Sequence, residues 1–320
     1  MTPTQKGFSL VELMVGLLIG MLVLLATTSM AVQFGQTQKA GLGANNALGD
    51  GASAMELMGH SLRQAGLGFI NQVSYGSGGQ VCNSFEGITP FAPLAITPGG
   101  TTDTLSIAYG EGIGGVSSPK ITQTPYPTNL TAVQFANTAQ FSVNKQVVVA
   151  DSAGNCTLAL VTAVTPTTAS FSFIGTATGN TLVAFYPIGT LHQETWSVTH
   201  GKLQFTDVNR GQVIVSDNVA AMKVQFGLVD GAENFAGYGT AGATPGSIHS
   251  IRVALVMKNI NRQKGTGAQC VTSSGGIPSK DVPIDNWGVT VDVSAIPDWQ
   301  CYTFKVVTQT FPLRNFMWGA

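Results

Sequence analysis

Near the start of the chain lies the stretch that most constrains its fold. No charged residue follows Glu12 until Lys39, and the apolar run from Leu13 to Phe34 holds 22 residues. At 1.5 Å per residue a helix of that length reaches roughly 33 Å, the thickness of a bilayer core. Residues 8–34 are therefore expected to span a membrane as one helix. A secretory signal places its charges first, a shorter apolar stretch next and a small-residue cleavage site last. Here the order is inverted, because Lys6 and the small Gly7 precede the apolar run. Cutting after Gly7 removes residues 1–7 as a short basic leader and keeps the membrane helix. Lys6 on the leader, with no further basic residue until Lys39, favours a cytoplasmic N-terminus and a body outside the cytoplasm.

Glu12 demands a physical reason, since an acid at the centre of a spanning helix costs up to about 3 kcal/mol. Near the helix end the cost falls, and an acid there suits the helix dipole. Its surroundings point further. The string Lys6-Gly7-Phe8-Ser9-Leu10-Val11-Glu12-Leu13 resembles the class III signal of type IV prepilins and of type II secretion pseudopilins. The resemblance implies cleavage between Gly7 and Phe8 by the prepilin peptidase and N-methylation of the new terminal Phe8. It also implies that Glu12 pairs with the amino terminus of a neighbouring subunit. Such a partner removes much of the cost of a carboxylate in lipid and selects one axial stagger, so Glu12 is read as a register device. Gly16 and Gly20 form a G-x-x-x-G in the same helix, a spacing that permits close helix approach.

From Lys39 to Leu67 the pattern becomes amphipathic. Leu48, Ala52, Met55, Gly59 and Leu62 recur at three- or four-residue steps, with Asp50, Glu56, His60 and Arg63 elsewhere. The helix is expected to run over 8–67 and to cover a sheet with this stripe. Glycines at 35, 41, 43, 49 and 51 predict a kink or a melted stretch in its middle. The Gly-rich run from Gly66 to Gly79 ends it.

Beyond Val81 the chain reads as many short strands bounded by Gly, Pro or Asn. They are Thr104 to Tyr109, Gln146 to Ala150, Thr157 to Val164, Ala169 to Ile174, Leu182 to Tyr186, Val213 to Val215, Met222 to Val229, Ile251 to Met257 and Tyr302 to Phe311. Trp196 to Thr199 and Lys202 to Phe205, joined by His200-Gly201, form a hairpin signal. Gly231 to Gly246 and Gly265 to Pro283 are expected as loops. The fold class is α+β: a long N-terminal transmembrane and amphipathic helix packed on a large β-rich globular head, 68–320, with no internal repeat.

Only 10% of residues are charged, and 15 basic residues against 16 acidic ones leave no electrostatic footprint for nucleic acid. Cys82, Cys156, Cys270 and Cys301 lie far apart, with neither a C-x-x-C pair nor histidines at metal-ligand spacing. They are disulfide candidates with three possible pairings. Cys270 with Cys301 is favoured because it would tie down the Gly/Ser/Pro-rich stretch between them.

No G-x-S-x-G, H-E-x-x-H, P-loop or EF-hand string occurs. Gly110-Glu-Gly112-Ile-Gly-Gly115 satisfies G-x-G-x-x-G but is followed by Val-Ser-Ser-Pro rather than a helix, so it reads as a loop. His192, His200 and His249 have no evident acid or nucleophile partner in sequence. Asp281, Asp285 and Asp292 suit turn capping better than calcium. Neither catalysis, a cofactor nor a metal is expected. The late aromatics Trp287, Trp299, Phe311 and Trp318 are candidates for core or, where exposed, for a subunit contact.

Across its length the chain resembles the PilW family of large minor pilins. Besides the N-terminus, Val215-Ser-Asp-Asn-Val219 leading to Val224-Gln-Phe-Gly227, Ile251-Arg-Val-Ala-Leu255 and Phe311-Pro-Leu-Arg-Asn315 carry the resemblance. It implies a part in priming pilus assembly and in a tip complex, supporting twitching motility and adhesion. The implied partners are other minor pilins, the major pilin, the inner-membrane assembly platform and a tip adhesin. A GspJ-like pseudopilin has the same start, and a membrane-anchored periplasmic enzyme is the alternative of another class.

Overall fold

A computed structural model describes residues 10–69, 82–89, 91–111, 118–175, 179–230, 232, 234–240, 248–261, 270 and 279–313. One α-helix, α1 (Leu10–Gln64), precedes strands throughout the rest of the described chain. In order these are β1 (Ser84–Phe85), β2 (Leu94–Thr97), β3 (Thr104–Gly110), β4 (Val133–Gln134), β5 (Gln146–Asp151) and β6 (Asn155–Val164). Then come β7 (Thr168–Phe173), β8 (Leu182–Gly189), β9 (Leu191–Thr199), β10 (Lys202–Asp207), β11 (Gly211–Asp217) and β12 (Val219–Val229). The last are β13 (Phe235–Gly239), β14 (Ile248–Lys258), β15 (Asp281–Ile284), β16 (Val289–Asp292) and β17 (Phe304–Pro312). The class is α+β, an apolar N-terminal helix on a large β-rich region.

Three sheets and a hairpin make up that region. The first runs β4-β7-β6-β5-β8 with β1 added in parallel to β6, the second β11-β10-β9-β3-β2, and the third β13-β12-β14-β17. The β15–β16 hairpin packs on the third sheet through Ile284, Val291 and Val293, which meet Ala221, Ala254 and Val256. Every strand expected from sequence is present. The β9–β10 turn has the anticipated chemistry, with φ of 52° at His200 and 77° at Gly201, the two left-handed positions that a two-residue primed turn requires. Two loop expectations are corrected. Phe235–Gly239 within 231–246 pairs with β12 as an edge strand, and Asp281–Ile284, overlapping the end of 265–283, is β15. Both segments are too short and too rich in glycine or proline to register as strands until a neighbouring strand offers them hydrogen bonds.

The helix differs most from expectation. It is continuous through all five glycines, without a melted stretch. The reason is packing. Gly43, Ala47, Gly51, Ala54, Met55, Met58, Gly59 and Leu62 recur at three- and four-residue steps and are buried, so glycine lies on the face that meets the sheet. A Cβ at Gly51 would stand 3.0 Å from Val307, and one at Gly59 only 2.5 Å from the Phe311 ring. Glycine there costs helix propensity but allows the backbone to approach β14 and β17, and the buried area outweighs the propensity loss. Leu48 and Ala52, expected on the stripe, are exposed instead. The step that sets the stripe runs through Ala47 and Gly51, whose small size hid them. Phe311, a candidate for an exposed contact, is 1% exposed in the core beneath α1.

Gly49 has nothing within 4 Å of a built Cβ. Gly49→Ala is therefore expected to raise the unfolding free energy by about 0.5–1 kcal/mol, while Gly59→Ala lowers it by about 1–3 kcal/mol through overpacking. Urea unfolding of the two variants in detergent checks the opposite signs.

Past Gln64 the helix stops at Gly66, whose φ of 79° is left-handed. The Gly66 amide donates to the Ala108 carbonyl, 2.9 Å, which hands the chain to β3. Phe69 then packs with Phe85 and Phe91 against β5, β6 and β8. Cys82 and Cys156 are disulfide-bonded in that same cluster, and Cys270 is bonded to Cys301.

The turn joining β5 to β6 hangs on Asp151. Its Oδ1 accepts the amides of Ala153 and Asn155, and its Oδ2 accepts Asn155 and Asn180 side chains. Burial alone would raise its pKa, but these donors outweigh burial and hold it below the usual carboxylate range. A lowered folded pKa means the stabilisation is complete above the unfolded value near ~3.9 and fades as pH falls through the folded one. Wild type is expected to lose more stability than Asp151→Asn between about pH 5 and pH 2, read by urea midpoints.

Candidate functional site

Along α1 the first buried position among the described residues is Gly43. Before it the helix stands clear of the head, and Leu10, Leu13, Leu17, Leu18, Leu24 and Phe34 are each more than half exposed. Leu13–Ala31, 19 residues with a mean hydropathy of 2.2 and none of it buried, is long and apolar enough to cross a membrane. Its polar side chains are compatible with lipid. Thr27, Thr28 and Ser29 donate their hydroxyls to the carbonyls of Val23, Leu24 and Leu25, at 2.8–3.0 Å, so no hydroxyl depends on water. Gly16 and Gly20 have nothing within 4 Å and leave the backbone open to another helix.

Glu12 lies within α1. Gly7 and Phe8 lie outside the described residues, as do Gly79, Gly112, Gly115, Asn315 and Trp318. The apolar run expected from sequence is the exposed part of this helix, and the structure adds where the head begins to cover it. The change to an amphipathic pattern at Lys39 lies four residues before Gly43, where burial against the head is seen.

His192 is not without acid partners, contrary to its reading in sequence. It is buried with Nδ1 3.2 Å from Asp207 and Nε2 3.3 Å from Glu111, and its ring stacks on Tyr109 at 5.1 Å. Hydrogen bonds from Thr190 and His192 hold the Glu111 carboxyl below its ordinary range. A general base needs a free ring nitrogen facing a nucleophile, whereas here both nitrogens face carboxylates. The cluster ties β3, β9 and β10 together. Beside it Glu194 accepts the Tyr109 hydroxyl and the Trp196 indole, each at 2.8 Å, and Ser61 reaches the Tyr109 hydroxyl from α1. Burial first, and then the bond to Glu194, push the Tyr109 phenol far above its usual value.

The G-x-G-x-x-G string starts inside β3 at Gly110, where a Cβ would strike Ile188, so its first glycine serves strand packing. Asp281 and Asp292 face each other across the β15–β16 hairpin with Lys280 between them. Lys280 and Ser294 hold Asp292 well below the usual carboxylate range. Among the described residues no group of three or more His, Cys, Asp or Glu side chains is arranged for a metal.

The chain matches the prokaryotic N-terminal methylation motif over residues 2–28. No curated protein matches it significantly. Among solved structures it is similar to a type IV-like pilin from Thermus thermophilus, at 10% identity and a TM-score of 0.23, over 55% of this chain and 87% of that one. The motif at the N-terminus and the apolar helix that follows it agree with a type IV pilin-like start and with anchoring in a membrane.

Proposed function

We propose that this type IV pilin-like chain is a minor pilin that primes assembly of a type IV pilus and occupies its tip. The observation that carries the reading is the bare apolar span Leu13–Ala31, continuous with a helix half that is stapled to a three-sheet head. A bare helix of this kind is stable only in lipid or among other such helices. A head spanning 68–320 on every subunit would crowd a thin fibre whose stems are buried, whereas a tip position relieves the crowding.

In this reading the prepilin peptidase cuts between Gly7 and Phe8, and Phe8 is N-methylated. Glu12, near the lipid end of the helix, accepts the amino terminus of the next subunit and sets the stagger. The other minor pilins, the major pilin and the inner-membrane platform are the partners, with a tip adhesin beyond them, and twitching and adhesion are the outputs. The N-terminus is cytoplasmic before assembly, and the head lies in the periplasm and then at the cell surface.

Mass spectrometry of the mature protein tests the processing, with a methylated Phe8 as the expected first residue. Retention of the leader, with or without the peptidase, sinks the proposal. Glu12→Ala is expected to be cleaved normally but recovered about tenfold less in sheared filaments, the effect of losing one charge partner in lipid. Equal recovery contradicts the register role. Deletion is expected to abolish twitching; loss of exoprotein secretion with twitching intact assigns the chain to a secretion pseudopilus instead.

A further inference from the structure

The segment between residues 118 and 133 has no regular secondary structure, yet it is firmly held. Ile121 and Leu130 are anchored in the core of the first sheet, among Phe135, Phe171 and Phe185. Its backbone is tied at both ends and in the middle: Thr122 N to Gln134 O at 3.0 Å, Leu182 N to Pro127 O at 2.8 Å, and Phe171 N to Leu130 O at 2.8 Å. Together with Thr181 it encloses a groove of about 590 Å³, within the size range of small-ligand sites.

The groove has a distinct chemistry. Its polar side chains are the amides of Gln123 and Asn129 and the hydroxyls of Thr124, Thr128 and Thr181, and no Asp, Glu, Lys, Arg or His lines it. Among the described residues, Gln123, Thr124, Thr128 and Thr181 make no side-chain hydrogen bond. Asn129 uses only its Oδ1, which accepts the Thr131 amide at 3.2 Å, and keeps its NH₂ for a ligand. Tyr126 stands 54% exposed at the rim, beside Pro125, and offers an aromatic face with a hydroxyl at its edge.

We propose that this groove binds a neutral saccharide. A sugar without charge presents vicinal hydroxyls, which amide and hydroxyl side chains can both donate to and accept from, and an apolar C–H face, which a Tyr ring covers. An anion would find no cation here, and a cation no carboxylate. A proline-rich peptide would want several aromatic rings side by side, and the groove has one. Because the backbone is already fixed by its own hydrogen bonds, binding would order little chain. The inference does not depend on the pilin reading.

The test uses the full chain in a detergent without a sugar headgroup. Lactose, N-acetyllactosamine, maltose and chitobiose, each at about 10 mM, serve as probes in saturation-transfer NMR, since a weak site of this kind has a millimolar Kd. Sialyllactose and a proline-rich peptide are the charged and peptide comparisons. Saturation transfer to at least one neutral disaccharide is expected. Tyr126→Ala is expected to weaken it about five- to tenfold and Tyr126→Phe to leave it within about twofold, since the ring face is what stacks. Tyr126 is exposed, so both variants fold, which an unchanged urea midpoint verifies. Absence of transfer to all four neutral sugars, transfer only to the peptide or the charged sugar, or equal transfer in Tyr126→Ala each overturns the proposal.

Discussion

Replacing Asp103 with alanine lowers the unfolding free energy by about 3–5 kcal/mol, the largest loss expected from a single side chain in the head. Asp103 is 2% exposed and lies just before β3. Its Oδ1 accepts the Gly99 amide at 3.0 Å and the Lys223 ammonium at 2.9 Å, and its Oδ2 accepts the Val224 amide at 3.0 Å. Lys223 also donates to the carbonyls of Gly99 and Gly100, at 2.7 and 3.2 Å. Around this pair, Asp103 N donates to Met222 O, and Met222 N donates to the Thr102 hydroxyl. The second sheet is thereby locked to β12 of the third. Alanine at 103 would leave an ammonium and two backbone amides without their acceptor in a site with little water. The double variant Asp103→Leu with Lys223→Met removes both charges and is expected to cost less than Asp103→Ala alone. Urea unfolding of the three proteins decides the matter. A loss under about 1 kcal/mol in Asp103→Ala would mean that water reaches Lys223 and replaces the carboxylate.

The second large effect is expected from opening the Cys82–Cys156 disulfide. It closes 74 residues and sits in the aromatic cluster that carries the chain from α1 to the first sheet. Loop-closure entropy for that length gives about 4 kcal/mol, and the Cys82→Ser/Cys156→Ser variant is expected to lose roughly that much. Both sulfurs are buried, so the serine hydroxyls would also lack partners, which adds to the loss. Replacement by alanine separates the two contributions. If the alanine pair is as stable as wild type, the crosslink contributes nothing and the Phe69, Phe85 and Phe91 packing holds the junction alone. The Cys270–Cys301 bond closes 31 residues, and in the same entropy account its removal costs only slightly less.

Periodicity and composition alone determined the strand-rich head and the helix that carries the membrane run into the amphipathic run. Those signals are local: an uncharged apolar run, a small residue before it, alternation in strands, and a two-residue turn at His200-Gly201. The helix glycines show where local reasoning ended. Read one residue at a time, they weaken a helix. Only the tertiary structure placed Gly51 and Gly59 against β14 and β17, and Gly43 against Asn259 and Asn261 just past β14, where the absence of a side chain is what permits contact. Asp103 and Lys223, separated by 120 positions, carried no sequence signal, because a buried ion pair is defined by the space between two sheets. The groove around Tyr126 is of the same kind, since its backbone is held by bonds to Phe171 and Leu182, far away in sequence. The bare helix itself was legible from the start, because a bilayer-length apolar run is a statement about solvent. Where the head releases it, at Gly43, depended on which of its faces found a sheet to bury against.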